Sequence, residues 1–329
     1  MTESGFTWRD GERTIRFGRG VAAEAVETLG GAGYALLTTE RAAAMAPAVV
    51  AGAAGVHMLG PGRVDELAGD LLGAVARERI VGLGGGRVID TAKALAAASG
   101  GTQVAMSVPT TLSGAEMTRI HRRARGADQR SPTVRARVVV NDPELSASQP
   151  LAELAASALN ALSHAVEGPC TPLSNPVATI AAHEGARLLA RSLSQAPDRD
   201  GLALGALLAG YVIDSTGYGL HHVLSQTLVR LAGAGHGPAN AVLLPHTTGA
   251  LAWRFPERIE ALGIALGGDP AEVAARMCEL IGATRLRDIG VSRDVLPECA
   301  EAAGERPELD LTPPRADRAE LLALYEGAW

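Results

Sequence analysis

The sequence is short of lysine. Of its 30 basic residues only Lys93 is Lys and the rest are Arg. Set against 36 acidic residues they leave a net charge of −6, so the basic field behind non-specific nucleic-acid binding is missing. Cysteine is scarce too. Cys170, Cys278 and Cys299 are an odd number at unrelated spacings, which supports neither a disulfide framework nor a CxxC metal site and points to a reducing cytoplasm. No eighteen apolar residues run together, and the N-terminal stretch MTESGFTWRDGERTIRFG carries charges where a signal peptide needs an apolar core. The expectation is a cytoplasmic protein with neither membrane nor nucleic acid as partner. No segment repeats at a fixed period.

What is present is apolar surface: 47% of the 329 residues are hydrophobic and 20% charged, enough for two globular domains. Short apolar runs at 15–17, 34–39, 56–59, 80–83 and 104–108 alternate with Ala-rich segments of helical periodicity at 21–29, 41–50, 64–76 and 88–98. That is the pattern of a parallel sheet with crossover helices. Residues 118–125 and 133–140 lean towards strand around GADQRSP, and are expected to pair antiparallel. From about Leu145 strand signals nearly vanish and long Ala/Leu stretches take over. The predicted domains are an α/β domain over 1–144 and an all-helical domain over 145–329.

The run at 80–83 enters Gly84-Gly85-Gly86 and then a helix, the order a phosphate-binding turn requires: without Cβ atoms the backbone N–H groups approach a pyrophosphate, and the helix N-terminus adds positive potential. The GxGxxG spacing is absent, because Arg87, Val88 and Ile89 follow, so from the glycines alone a plain tight βα turn is the better reading. Lys93 and Asp90, three apart, share a face of that helix. In a chain otherwise served by Arg, this position calls for a compact, rotatable charge; a surface pair is the alternative. Six of eight histidines lie between His164 and His246. Asn160 and His164 are one helical turn apart, and His222 and His236 are separated by the Gly-rich AGAGHG. Convergence on one metal ion and scattered structural histidines both fit this spacing.

The segments IRFG, GLGGGRVIDTAKALA, VPTTLSGAEMT, VVVNDPEL, ALNALSHAVEG, GLHHVLSQTLVRLAGAGHGPANAVLLPH and RLRDIGV resemble, in order, the iron-containing alcohol dehydrogenase superfamily. PTTLSGAEMT and the neutral Asn160, where the metal-dependent enzymes carry Asp, are similar to maleylacetate reductases. The resemblance implies a Rossmann-like nucleotide-binding α/β domain followed by an all-α domain, with nicotinamide and substrate held in a cleft. It implies that Gly84, Gly85 and Gly86 take the pyrophosphate of NAD(H) or NADP(H), that Thr110 and Thr111 approach phosphates and ribose, and that Asp90 and Lys93 lie at the cofactor's edge, Lys93 within the catalytic set. Glu40 would accept from a ribose 2′-hydroxyl, favouring NAD.

His164, His222 and His236 fall on the superfamily's metal positions beside Asn160, for Fe²⁺ or Zn²⁺. Loss of the anionic ligand weakens such a site, and a metal-free enzyme would use an imidazolium at His222 or His236 to protonate an alkoxide. Arg87, Ala115 and Gln226 depart from the family pattern. Gln226 stands near the substrate, and Arg122 and Arg123 in the basic segment 119–125 are candidate carboxylate clamps. The implied reaction is hydride transfer to a carbonyl or activated enoate of a small, anionic substrate. A metal-dependent alcohol or aldehyde reductase and a non-redox lyase or cyclase on the same fold are the alternatives. A homodimer through the N-terminal domain is implied as well.

Overall fold

A computed structural model describes residues 5–329; residues 1–4, part of the stretch read for a leader, lie outside it. The chain divides into two compact units, one ending at Gln149 and one beginning at Pro150.

The first unit is a seven-stranded sheet ordered β1-β2-β7-β6-β5-β3-β4. Its strands are β1 (Phe6–Asp10), β2 (Arg13–Phe17), β3 (Tyr34–Thr38), β4 (Ala53–Met58), β5 (Arg79–Gly84), β6 (Val104–Pro109) and β7 (Val138–Asn141). Its helices are α1 (Ala25–Thr28), α2 (Glu40–Met45), α3 (Pro47–Ala51), α4 (Val64–Leu71) and α5 (Gly86–Ala98). Every strand pair but β1–β2 is parallel. Interior β3, YALLT, is buried at all positions, as a strand covered on both faces must be. Tyr34 and Leu36 enter one apolar core with Val49, Leu83 and Val108, while Ala35 and Leu37 enter another with Val88, Ala92 and Leu95. The edge strand β4 alternates between half-buried and exposed positions.

The expected antiparallel pairing of 118–125 with 133–140 does not form. Residues 118–125 make no strand, and β7 lies between β2 and β6, parallel to both. A run of valines has strand propensity but no partner preference, and two flanking parallel strands bury it more fully than a hairpin would. The parallel order brings the ends of β3, β5 and β6 to one edge of the sheet, where α/β sheets bind ligands.

The second unit is helical: α6 (Leu151–Glu167), α7 (Pro176–Ser192), α8 (Arg199–Thr216), α9 (Leu220–Leu231), α10 (His236–Arg254), α11 (Pro256–Leu266), α12 (Pro270–Cys278), α13 (Leu296–Gly304) and α14 (Arg318–Ala328). Helix α6 is buried at nearly every position from Leu154 to Glu167, so its Ala-rich sequence serves close packing rather than a solvent face. No helix among the described residues is long and apolar enough to cross a membrane.

Candidate active site

In the α/β unit, strand β5 ends at Gly84 and α5 begins two residues later. No side chain caps α5, and its first turn holds no acidic residue, so its leading N–H groups have no side-chain acceptor, as an anion site requires. A Cβ on Gly85 would stand 3.1 Å from Thr111 Cγ2, and one on Gly86 3.0 Å from Ser113 Oγ. The glycines therefore let the loop after β6 lie directly on the turn. Thr110 N–H donates to Gly84 O at 3.0 Å. Glu40 is exposed at the first position of α2, just beyond the end of β3 and at the same edge as the turn. Arg87 is exposed in the first turn of α5.

Lys93 is fully buried rather than open to a ligand. Its Nζ donates to Ala115 O (2.8 Å), Thr118 O (2.9 Å) and Ile120 O (3.3 Å), and lies 2.7 Å from Asp90 Oδ1. Buried Arg13 donates to Met117 O at 2.8 Å and pairs with Asp10. The one lysine thus holds the backbone of the loop that lies on the glycine turn. A rotatable ammonium can serve several carbonyls at once, where a planar guanidinium would need more room. Beside it, the buried Glu116 carboxyl is pushed up to about 7 by desolvation, against the pull of Lys93 and Arg13.

Of the candidate clamp residues, Arg123 Nε donates to Ser131 O at 2.8 Å, and Arg122 is exposed with its Nε 4.0 Å from Asp65. From the same segment Arg119 lines, with Arg135 and Arg137, a pocket of about 310 Å³ beside the start of β6, at the edge of the sheet opposite the glycine turn.

In the helical unit, α6 brings up Asn160, His164 and, three residues further on, Glu167. The rings of His164 and His222 stack with centroids 4.9 Å apart and 25° between planes. His164 Nδ1 and His222 Nε2 are buried without a hydrogen-bond partner. Glu167 is wholly buried. Its Oε1 accepts the His221 backbone N–H at 2.7 Å, and its Oε2 lies 2.7 Å from His222 Nδ1. His221 is fixed by Thr247 Oγ1 (2.8 Å) and Asn240 Oδ1 (3.1 Å). Asn240 Nδ2 donates to His236 O at 2.7 Å and approaches His236 Nε2 at 3.4 Å. His236 is exposed at the first position of α10.

Burial, reinforced by His236, pushes the His222 imidazole down to about 3, and burial holds His164 well below the ordinary histidine range. Desolvation thus favours the neutral ring at His222. Among the described residues no three His, Cys, Asp or Glu side chains are grouped closely enough to hold an ion. The two unpartnered imidazole nitrogens nevertheless fit a transition metal, which takes imidazole lone pairs.

Gln226, one turn beyond His222 on α9, accepts from Arg306 Nη2 at 3.1 Å. Arg306 also clasps Glu308 through Nε (2.9 Å) and Nη2 (2.8 Å). The Tyr218 hydroxyl donates to Glu308 at 3.2 Å, and its ring stands 5.5 Å from that of His222. Tyr218, Arg306 and Glu308 are absent from the residues the sequence singled out, and nothing in local spacing marks them. Glu167 did carry a signal, a lone carboxylate one turn after His164 in an otherwise apolar stretch.

An α/β unit with an uncapped glycine turn and a helical unit with a buried imidazole cluster are the parts of a dehydrogenase fold, and comparison with known proteins specifies which. Residues 154–329 match the model of the Fe-containing alcohol dehydrogenase family, C-terminal. Maleylacetate reductase 1 of Rhodococcus opacus is 33% identical over 84% of this chain and 79% of its own length. A maleylacetate reductase of Rhizobium sp. is 30% identical over 98% of both chains. The crystal structure of maleylacetate reductase from Agrobacterium tumefaciens superimposes with a TM-score of 0.84 at 28% identity, covering 100% of this chain and 99% of that one. The chain belongs to the iron-containing alcohol dehydrogenase family. It is an oxidoreductase with maleylacetate reductases among its relatives, as the ordered motifs implied, and the lyase or cyclase alternative is set aside.

Proposed function

We propose that the protein is a nicotinamide-dependent reductase that transfers hydride to a carbonyl or activated enoate of a small anionic substrate, as the names of its maleylacetate reductase relatives suggest. The observation that carries this reading is the uncapped start of α5, with Gly85 and Gly86 laid open to Thr111 and Ser113. The backbone N–H groups of Gly85, Gly86 and Arg87 would bind the pyrophosphate, with Thr110 and Thr111 beside it. Glu40 would accept from a ribose 2′-hydroxyl, which disfavours a 2′-phosphate and so favours NAD(H). Asp90 and Lys93 position this edge rather than react. In the helical unit, His164 and His222 would hold Fe²⁺ or Zn²⁺, flanked by Asn160 and His236; such an ion, when bound, polarises a substrate oxygen. A bound nicotinamide would supply hydride to the electrophilic carbon, and the electron pair displaced onto the substrate would need a proton. His236, at the start of α10, would relay that proton. Gln226 and the Arg306–Glu308 pair border the imidazoles and would shape substrate preference. A cytoplasmic homodimer is the accompanying expectation.

The test is titration of chelator-treated protein with NADH and NADPH by nicotinamide fluorescence, followed by a carbonyl panel that includes maleylacetate, with and without restored metal. Micromolar binding with NADH oxidation is expected. If neither nucleotide binds even after metal is restored, the nicotinamide reading is wrong.

A further inference from the structure

We infer that Glu167 is a positioning residue that fixes His222 in the Nδ1–H tautomer and thereby leaves a bare Nε2 lone pair on the ring stacked against His164. The inference rests on the reading of His164 and His222 as site residues, and it is carried by geometry. The carboxylate bridges two donors at the start of α9, the His221 backbone N–H on Oε1 and His222 Nδ1 on Oε2, each at 2.7 Å. Oε1 is committed to accepting the His221 N–H, and Oε2 stands beside it facing the ring nitrogen, so the carboxyl group meets the start of α9 as an acceptor. An imidazole that gives its Nδ1 proton to such an acceptor has none at Nε2. His222 Nε2 has no hydrogen-bond partner, and neither does His164 Nδ1 on the stacked ring 4.9 Å away. One helix, α6, therefore supplies both an imidazole and, one turn later, the carboxylate that orients its neighbour.

The geometry makes an unusual demand on Glu167→Gln. The His221 N–H can only donate, so the new amide must turn its oxygen to that side. Its NH₂ group then faces His222 Nδ1, and two donors meet unless the ring moves its proton to Nε2. The isosteric change should invert the tautomer and close the Nε2 lone pair.

The experiment is long-range ¹H–¹⁵N correlation of the full-length, metal-free protein with ¹⁵N-labelled histidine, His222 being assigned by its loss in His222→Asn. The wild type is expected to show His222 protonated at Nδ1 and bare at Nε2, and Glu167→Gln the reverse. Binding of Co²⁺, followed by its absorption bands, should weaken roughly 10- to 100-fold in the variant, while NADH affinity is unchanged. An Nε2–H tautomer in the wild type would overturn the inference whatever the variant does. So would a folded Glu167→Gln protein whose His222 tautomer is unaltered, since a packing role alone leaves the ring as it was. Failure of nucleotide binding would defeat the proposed function while leaving this readout intact.

Discussion

Lys93 shows what a single residue does for the nucleotide turn. Its ammonium is held by three backbone carbonyls and Asp90 with no exposure to solvent. Removing it leaves the Asp90 carboxylate and several buried carbonyls without their donor. Lys93→Met should therefore lower stability by about 3 kcal/mol or more and weaken NADH binding, as the loop on the glycines loosens. Lys93→Arg should not restore either, because the larger planar group has no room. Urea unfolding and nucleotide titration read both effects. Glu116 gives a pH signature. Burial raises its carboxyl from 4.5 to about 7, so between those values the native state binds a proton that the unfolded chain has released. This group's contribution is therefore full below about pH 4.5, falls as pH rises through 7, and is constant above. Glu116→Gln should become more stable relative to the wild type from pH 5 to pH 8, by roughly 3 kcal/mol at most, in urea melts at both pH values. At this scale the sequence exposed Lys93 through its rarity and the glycines through their run. It left Arg306, eighty residues from Gln226, invisible, because only the fold brings them within 3.1 Å.

At the scale of elements, glycine has opposite meanings in two helices. Helices α7 and α8 cross where a Cβ on Gly205 would stand 2.9 Å from Leu189 Cγ and 3.0 Å from Gly185 O. An alanine in a helix interior ordinarily gains up to about 1 kcal/mol over glycine. Gly205→Ala should instead lose about 1–3 kcal/mol through overpacking. Gly249 in α10 has nothing within 4 Å of its Cβ position, so Gly249→Ala should gain in the ordinary way. Thermal melts of the two variants, taken together, check the sign of each. Strands β2 to β6 and the succession of helices were legible because their apolar periods are local. Strand β1 was not, since its five residues alternate between exposed and half-buried positions with mixed composition. Strand β7 reads locally as half of a hairpin, because the choice between a neighbour in sequence and the distant β2 and β6 is made by long-range burial.

For the molecule as a whole, a bound metal would appear as stability. Anything that binds only the native state stabilises by about 2.7 kcal/mol at a hundred times its dissociation constant. Added Zn²⁺ or Fe²⁺ should therefore raise the wild-type melting temperature by a few °C, and chelation should reverse it. His164→Ala and His222→Ala should show no such response. A rise that persists in both variants would place the ion elsewhere. The sequence by itself determined the family, the division into a sheet-bearing and a helical half, and the residues of the glycine turn and the imidazole cluster, because these follow from ordered motifs and local hydrophobic period. Only the tertiary structure decided what those residues are bonded to. It buried Lys93 under a loop, tied Arg123 to the Ser131 carbonyl, and set Glu167 against His222. The reason is physical: hydrogen-bond partners and desolvation depend on segments far apart in the chain, and no local pattern specifies which distant donor will meet which buried acceptor.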